Sequence, residues 1–232
     1  MIKRFFLRIT RWIIKAVIAF LLLTIFIIVG LRYFNPPVTS LMVYKYLQNG
    51  RKQIHQKWVQ LEEVSPLVPL AIIAAEDQNF LNHSGFDFTA IKKAIKHNQT
   101  SKTTWGASTI SQQLAKNIFL IPTKSVLRKG LEAYFTVVIE LVMSKKRIME
   151  LYINVVEMGD SYYGIGVAAQ LYFKKSVQNL QAEEAALIAA ALPNPIMFNV
   201  HNPSDYVQKR KRWIVGQMNN LGGEAFTSDW YK

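Results

Sequence analysis

Apolar residues recur at spacings of three and four along most of the chain, and this spacing is typical of amphipathic helices. The alternation that marks a strand is nearly absent, so the pattern predicts a mainly α-helical protein. Glycine and proline residues interrupt the pattern and divide it into segments. Beyond the N-terminal region, helices are predicted near residues 67–81, 88–97, 109–119, 125–142, 145–157, 164–173 and 181–191.

The most apolar segment lies near the N-terminus. Residues 16–31 contain no charged side chain, and with the apolar residues before Lys15 they reach the roughly 20 residues that span a bilayer. We therefore predict one transmembrane helix, at residues 12–31. A cleaved signal peptide is the alternative, but the apolar stretch is too long for one, and LRYFNPP contains no small-x-small cleavage site.

Charges on either side of this segment predict its orientation. The first 15 residues carry five basic side chains and no acidic one, whereas Arg32 alone follows the segment closely. Because positive charge favours the cytoplasmic side, residues 1–11 are predicted to form a cytoplasmic tail. The protein is then a single-pass protein of the cytoplasmic (inner) membrane, with a periplasmic or other extracytoplasmic domain.

The remaining chain is predicted to form one domain, at residues 55–222, after a linker or membrane-proximal segment at 32–54. Pro36 and Pro37 prevent the anchor helix from continuing into this linker. The last residues, 223–232, are expected to form a poorly ordered tail.

Composition narrows the possible partners. Of the 232 residues, 28 are Lys or Arg and 15 are Asp or Glu, and a net charge of +8 remains when the first 15 residues are left out. A basic domain at a membrane suits anionic lipid headgroups or a phosphorylated substrate, whereas nucleic acid is not expected outside the cytoplasm. The absence of cysteine excludes disulfides and a thiol nucleophile.

The stretch AAEDQNFLNHSGFD (74–87) contains the first candidate site. On a helix, Glu76 shares a side with Ile72 and Phe80, so its carboxylate lies at the edge of an apolar face. Desolvation there would raise its pKa and suit a general base, whereas a helix end whose acids stay in water is the alternative. His83 is predicted to be a hydrogen-bonding loop residue, because no second metal ligand stands at a suitable spacing.

The stretch GASTISQQLAKN (106–117) favours anion binding. Thr109 and Gln112 have the spacing of a capping box, which predicts a helix start here. Free amides at a helix N-terminus also bind phosphate, and Lys116 follows two turns later.

The stretch RKGLEA (128–133) is a third candidate. Arg128 and Glu132 lie four residues apart on one helical face, which in most proteins is an ordinary surface ion pair. Lys129 makes the same turn more cationic, and this would suit a diphosphate.

Taken together, these segments resemble the peptidoglycan glycosyltransferase family, which comprises a domain of bifunctional penicillin-binding proteins and the monofunctional biosynthetic transglycosylases. Four motifs stand in the family's order over roughly residues 55–205: EDQNFLNHSGFD, GASTISQQLAKN, RKGLEA, and RIMELYINVVEMG with YGIGVAAQLYF. Ala107 and Ser111 depart slightly from many relatives, which have glycine and threonine there. No serine begins the S-x-x-K motif of a transpeptidase, so the resemblance is to the monofunctional form.

The resemblance implies a lysozyme-like, two-lobed helical domain with a cleft that faces the membrane. It implies that the lipid-linked growing glycan is transferred with inversion onto the GlcNAc 4-hydroxyl of lipid II, which forms a β-1,4 bond and releases undecaprenyl diphosphate. The implied partners are lipid II, the growing glycan and membrane lipids, with other cell-wall synthesis or division proteins as further candidates. No cofactor or metal site is implied, although a divalent cation bound loosely at the diphosphate stays open.

The resemblance also assigns roles, motif by motif. Glu76 would be the general base, and Glu132 would be the second catalytic carboxylate, near the leaving group. Lys116 and Arg128 would offset the charge of the diphosphate. The remaining assigned residues are Ser108, Thr109, Gln112, Gln113 and Asn117 on the donor side, and Asp77 and His83 as supports of the loop after Glu76.

Two other functions stay open. A lysozyme-like hydrolase or lytic transglycosylase that cleaves finished glycan also uses carboxylates in a cleft. Such an enzyme has no diphosphate to neutralise, so Lys116 and Arg128 favour synthesis. A membrane-anchored scaffold without activity is the non-enzymatic alternative, and the presence of all the expected acids and bases argues against it.

Overall fold

The structure is a computed structural model that describes residues 2–101 and 103–231, and its helices confirm the predicted mainly α fold. The α-helices are α1 (Ile2–Tyr33), α2 (Ser40–Gln48), α3 (Leu67–Glu76), α4 (Phe88–Thr100), α5 (Ile110–Phe119), α6 (Val126–Val142), α7 (Lys145–Val155), α8 (Ile165–Phe173), α9 (Ala182–Ala191) and α10 (Asp205–Asn220). The strands are β1 (His55–Gln56), β2 (Glu157–Gly159) and β3 (Tyr162–Tyr163), and 3-10 helices lie at Leu61–Glu63, Val177–Asn179 and Gly223–Tyr231.

Helix α1 is the one helix of the described residues that is long and apolar enough to cross a membrane, over Phe5–Tyr33. The assignment rests on length and composition, and such a helix at an N-terminus fits a membrane anchor or a signal sequence. The predicted span at 12–31 lies inside it, and the helix ends ahead of Pro36. It packs against α6, where the hydroxyl groups of Thr24 and Tyr134 are hydrogen-bonded at 2.7 Å.

Arg147 of α7 holds the C-terminal end of α1. Its Nε and Nη2 donate to the carbonyl oxygen of Leu31 at 3.0 and 2.9 Å. Its Nη2 also donates to the carbonyl oxygen of Phe34 at 3.0 Å and to Oδ1 of Asn35 at 2.9 Å. The last carbonyl groups of a helix lack intrahelical donors and carry partial negative charge, so a guanidinium caps them well. Glu150 pairs with the same guanidinium, which joins this cap to the helical domain.

The helices after α1 pack in two groups, which form the two lobes of the domain. In the first group α3 packs against α9 and α10, and in the second α5 packs against α6 and α7. Helix α3 is buried from Val68 to Ala74 because nearly all its side chains are apolar. Glu76, the last residue of α3, contacts Gln113 of the second group and Arg210 of the first. The groups therefore meet at this carboxylate.

A small sheet lies beside α8, with strand order β1-β3-β2, in which β1 is parallel and β2 antiparallel to β3. The segment after β1 is held by buried Asn154, whose Nδ2 donates to the Val59 carbonyl and whose Oδ1 accepts from the Val59 amide, both at 2.9 Å. Gly166 lets the same segment pass close to α8, since a Cβ there would lie 2.3 Å from the carbonyl oxygen of Lys57. This glycine is therefore required by a close backbone approach.

Helix α3 is shorter than predicted, since it ends at Glu76 rather than near residue 81. Asp77 leaves the helical conformation, with φ −161° and ψ 72°, and its side chain accepts a hydrogen bond from the amide of Ile110 at 3.0 Å. The helix thus ends just before Asp77, whose side chain binds the backbone at the start of α5. Phe80 is fully buried, but it lies in the following turns and not on a common helix face with Glu76.

Several segments outside the predicted helices are helical in the structure. Within the predicted linker, α2 begins after Thr39, whose Oγ1 accepts from the amide of Met42 at 3.2 Å, and Met42 is fully buried. The prediction of a poorly ordered tail is wrong for Gly223–Tyr231, because Trp230 is buried there and packs edge-on against Phe80 with ring centroids 6.5 Å apart. Helix α10 is also absent from the predicted set.

We expect Gly166→Ala to lower the free energy of unfolding by about 1–3 kcal/mol, because the added methyl group overlaps a backbone carbonyl that cannot rotate away. Gly216→Ala is the matched control, since nothing lies within 4 Å of a Cβ at Gly216 in α10. Alanine there should raise stability by about 0.5–1 kcal/mol through helix propensity. Chemical unfolding of the detergent-solubilised protein measures both, and equal effects would contradict the packing at Gly166.

Candidate active site

Glu76 is a largely buried carboxylate at the end of an apolar helix, and its side chain is only 13% exposed. Its Oε2 accepts a hydrogen bond from Nε2 of Gln113 at 2.8 Å, and its Oε1 accepts one from Nη2 of Arg210 at 3.2 Å. Burial raises the pKa of Glu76, and the Gln113 hydrogen bond and the Arg210 charge oppose this only in part. A carboxylate with a raised pKa is suited to accept a proton, which is the property that a general base requires.

Gln113 is oriented by a second hydrogen bond. The hydroxyl group of Tyr152 donates to Oε1 of Gln113 at 2.9 Å, so the amide nitrogen of Gln113 is directed to Glu76. Tyr152 is fully buried, and burial, reinforced by the negative charges of Glu76 and Asp77, raises its pKa well above the usual value. The phenol consequently stays a neutral donor.

Asp77 and His83 connect the end of α3 to the start of α5. Nε2 of His83 lies 2.9 Å from Oδ1 of Asp77, and Nδ1 of His83 accepts from the amide of Gly85 at 3.0 Å. Since Nδ1 is an acceptor, the proton is on Nε2 and is donated to Asp77. The second carboxylate oxygen of Asp77 accepts from the amide of Ile110, the first residue of α5. His83 is therefore a hydrogen-bonding loop residue, as predicted.

The predicted capping box at the start of α5 is confirmed. Thr109 Oγ1 accepts from the amide of Gln112 at 3.2 Å, and Gln112 Oε1 accepts from the amide of Thr109 at 3.0 Å. Thr109 also donates its hydroxyl proton to the carbonyl oxygen of Gly85 at 2.7 Å. These two side chains serve the backbone, whereas Ser108 beside them is exposed and Asn117 is buried one turn further on. Their role on the donor side stays a prediction.

A cationic cluster surrounds Glu132, which is almost fully buried in α6. Oε2 of Glu132 accepts from Arg128 at 2.6 Å and Oε1 from Lys129 at 2.5 Å, so the predicted ion pair is present and carries a second cation. Burial lowers the pKa of Lys116, while the charges of Glu132 and, more weakly, Glu76 oppose that shift. Three cations thus face one carboxylate, and this excess positive charge can bind an anion.

A cleft of about 700 Å³ lies against Glu76, and its size is within the range of ligand sites. It is lined by Ala74, Ala75, Glu76, Asp77, Gln78, Asn79, Asp87, Thr89, Ala90, Lys93, Ala94, Trp105, Gly106, Trp213 and Leu221. Asn98 holds the backbone of Trp105, with hydrogen bonds of 2.7 and 3.1 Å to its amide and carbonyl. Lys116 and Glu132 are not among the lining residues, whereas Glu76 lines the cleft and also interacts electrostatically with Lys116.

Arg210 and Tyr152 contact the site but are not among the residues that the sequence motifs predict. Arg210 lies in α10, which could have been found from Ser204, a side-chain N-cap, and from the buried residues Val207 and Ile214 at a spacing of two helical turns. Tyr152 stands in the fourth motif, where its apolar neighbours indicate only core packing. In the described residues no group of three or more His, Asp or Glu side chains is arranged to hold a metal ion.

The chain is similar to one protein family over most of its length. The transglycosylase family model matches residues 43–219. A relative from Haemophilus influenzae is 49% identical over 83% of this chain and 81% of its own. Relatives from Bdellovibrio bacteriovorus and Shewanella oneidensis are 47% and 45% identical, and the alignments cover 90% and 93% of this chain and 85% and 93% of theirs. All three are described as biosynthetic peptidoglycan transglycosylases.

The match and the site together define an enzyme of the glycosyltransferase class. The chain belongs to the transglycosylase family, the peptidoglycan glycosyltransferases that the four sequence motifs resemble. The resemblance drawn from those motifs is thereby confirmed.

We expect Glu76→Gln to raise the thermal stability at neutral pH. Because the pKa of Glu76 is raised in the folded protein, the folded state binds the proton more tightly than the unfolded chain, and stability falls as pH rises through that range. Glutamine does not titrate, so Glu76→Gln should not lose this stability as pH rises. The difference in stability between the variant and the parent should disappear below the usual glutamate pKa.

Unfolding temperatures measured over a pH series test this sign. Glu62→Gln is the matched control, because the Lys146 hydrogen bond lowers the pKa of Glu62, and its loss should destabilise at neutral pH. A Glu76→Gln protein that is less stable than the parent at neutral pH would contradict the raised pKa.

Proposed function

We propose that the chain polymerises the glycan strands of peptidoglycan, by transferring the lipid-linked growing glycan onto the GlcNAc 4-hydroxyl of lipid II. The observation that carries the proposal is that Glu76, a largely buried carboxylate, lines a ligand-sized cleft and interacts electrostatically with Lys116 of the cationic cluster. The names of the relatives support the substrate class.

In the proposed reaction Glu76 removes the proton of the acceptor 4-hydroxyl. The freed oxygen attacks the anomeric carbon of the donor, the new β-1,4 bond forms, and the bond to the diphosphate breaks with its electron pair leaving on the diphosphate oxygen. The attack inverts the anomeric centre, because the nucleophile and the leaving group are on opposite faces. The hydrogen bonds from Gln113 and Arg210 support this role, since each engages a different carboxylate oxygen and holds the group in one orientation.

Departure of undecaprenyl diphosphate places negative charge where the cationic cluster lies. Lys116, Arg128 and Lys129 stabilise this charge, and Glu132 keeps Arg128 and Lys129 in position. Lys116 is suited to the leaving group because it interacts electrostatically with both Glu132 and Glu76 and so lies near both carboxylates. On this assignment the cleft lined by Trp105 and Trp213 receives the acceptor.

Membrane attachment follows from the same substrate. Lipid II and the growing glycan are both held in the bilayer, so an enzyme that joins them must work at its surface. Helix α1 would anchor the chain in the cytoplasmic membrane as a single span, with the N-terminus in the cytoplasm and the helical domain outside it. Membrane lipids, and other proteins of cell-wall synthesis or division, are the further proposed partners.

Glu76→Gln should reduce glycan polymerisation from lipid II by about 10²–10⁴-fold, the usual contribution of a general base. The assay is polymer formation by purified protein in detergent, read by gel electrophoresis of the labelled glycan. Unchanged turnover would remove Glu76 from its role. If the parent protein shortens finished glycan and does not consume lipid II, the lytic alternative replaces the proposal.

Lys116→Ala should lower kcat by about a hundredfold, as expected when one group that stabilises a developing negative charge is removed. Because the pKa of Lys116 is lowered, Lys116 should lose its proton, and the parent enzyme its activity, at a lower alkaline pH than for a lysine with the usual pKa. The variant has no Lys116 to deprotonate, so this alkaline loss of activity should be absent from its pH profile. Lys175→Ala is the control, because it removes an equal charge from an exposed pair with Glu184. Equal losses in both variants would contradict the assignment.

The same assay is run with and without a chelator, because a divalent cation at the diphosphate is left open. Loss of product on chelation and its recovery with Mg²⁺ would establish such a cation. Activity that is unaffected by the chelator would leave charge stabilisation to Lys116, Arg128 and Lys129.

A further inference from the structure

Arg210 is the closest cation to the proposed general base, and it reaches Glu76 from a different lobe than Gln113 does. Its Nη2 lies 3.2 Å from Oε1 of Glu76 and 3.5 Å from the carbonyl oxygen of Ala75. Its side chain is 24% exposed, and its Nε is buried without a hydrogen bond among the described residues. A buried donor without a hydrogen-bond partner lowers the stability of the folded protein, so we infer that Arg210 has a function that offsets this loss.

We propose that Arg210 is a positioning residue for the glycosyl transfer: it holds one oxygen of Glu76 and keeps the buried carboxylate ionised for proton removal. This inference rests on the function proposed above. The geometry supports it because Gln113 Nε2 and Arg210 Nη2 belong to different helices and each binds a different oxygen of Glu76. Each oxygen accepts one hydrogen bond from these groups, so a lone pair on each oxygen remains for a substrate hydroxyl.

Helix α10 fixes the place from which Arg210 acts. Ser204 caps its N-terminus, and the buried residues Val207, Ile214 and Met218 attach it to the rest of its lobe. Arg210 lies on the same helix, one turn after Val207, and extends to the end of α3, against which α10 packs. Its guanidinium therefore approaches Glu76 from a rigid support rather than from a loop.

The other charges around Glu76 do not replace Arg210. From α5, Lys116 contributes a weaker attraction, and from α7 Tyr152 is a neutral phenol that acts through Gln113. From α4, Asp87 and Lys93 line the cleft with opposite charges.

The other elements that pack against α3 carry acidic side chains that pair with other residues or are exposed. Glu183 and Glu184 of α9 pair with Lys211 and Lys175. Glu224 and Asp229, of the 3-10 helix at Gly223–Tyr231, are exposed. Burial raises the pKa of Glu76, and the Arg210 charge is the largest charge that opposes it.

The test is the pH profile of kcat/KM for lipid II polymerisation in Arg210→Gln, Arg210→Lys and the parent enzyme. Without the cation, the pKa of Glu76 rises further, so the acid limb of Arg210→Gln should move to higher pH. Its activity at the acid end should fall about tenfold more than on the alkaline plateau, where Glu76 is ionised in both proteins. Arg210→Lys keeps the charge, so its acid limb should stay near that of the parent.

Lys211→Gln is the matched control, since it removes a charge from the next residue of α10, which pairs with Glu183 and not with Glu76. Its profile should match the parent. An Arg210→Gln profile that is lowered equally at every pH, with an unmoved acid limb, would overturn the inference and leave Arg210 a purely structural residue.

Failure of the Arg210 inference and failure of the proposed function give different results. If Arg210→Gln does not fold, as judged by circular dichroism, Arg210→Lys decides: an acid limb displaced upward despite the retained charge would overturn the inference. If the parent enzyme itself makes no polymer from lipid II, the proposed function fails. If the parent polymerises lipid II but the acid limb of Arg210→Gln is not displaced, the proposed role of Arg210 is wrong and the proposed function is unaffected.

Discussion

The site depends on the buried carboxylate of Asp77, which joins two elements that are distant in the sequence. It accepts a hydrogen bond from the first amide of α5 and one from His83, and it stands immediately after the last residue of α3. A buried polar side chain in this place must be satisfied by hydrogen-bond donors, so separating the end of α3 from the start of α5 would be energetically costly. Glu76 and Gln113, which belong to these two helices, are consequently held within hydrogen-bonding distance.

Burial and charge are distributed unequally over the two glutamates. Glu76 has neutral Gln113 and a single contact with Arg210, and its pKa rises, whereas Glu132 is bound by Arg128 and Lys129. The two carboxylates therefore have different surroundings: Glu76 has a raised pKa and lines a cleft, whereas Glu132 holds two cations in position.

Much of the fold could be predicted because local signals were strong. The capping residue Thr109 predicted the start of α5, the apolar periodicity predicted α6, and the spacing of Arg128 and Glu132 predicted their ion pair. The C-terminal end of α3 could not be predicted, because its cause is a hydrogen bond between Asp77 and an amide 33 residues later.

Arg210 escaped prediction for a related reason. A basic residue in the sequence KRKRW is typical of a solvated helix face, and only tertiary packing turns one of the four basic side chains towards a buried acid. Glu76 itself was found through the four motifs, while the capping residues Thr109 and Gln112 show why motif membership does not separate a structural side chain from one that binds substrate.

The cap that Arg147 places on α1 makes this helix part of the folded domain. Four of its hydrogen bonds reach the last turn of α1 and the residues just after it, and Ile28 in the same helix is fully buried. With α1 as the proposed membrane anchor, this attachment would fix the height and tilt of the domain over the bilayer, which a flexible linker would not do. A protein from which α1 is removed would lose this fixed position. The guanidinium of Arg147 would then be hydrated by water instead of binding the carbonyl groups at the end of α1.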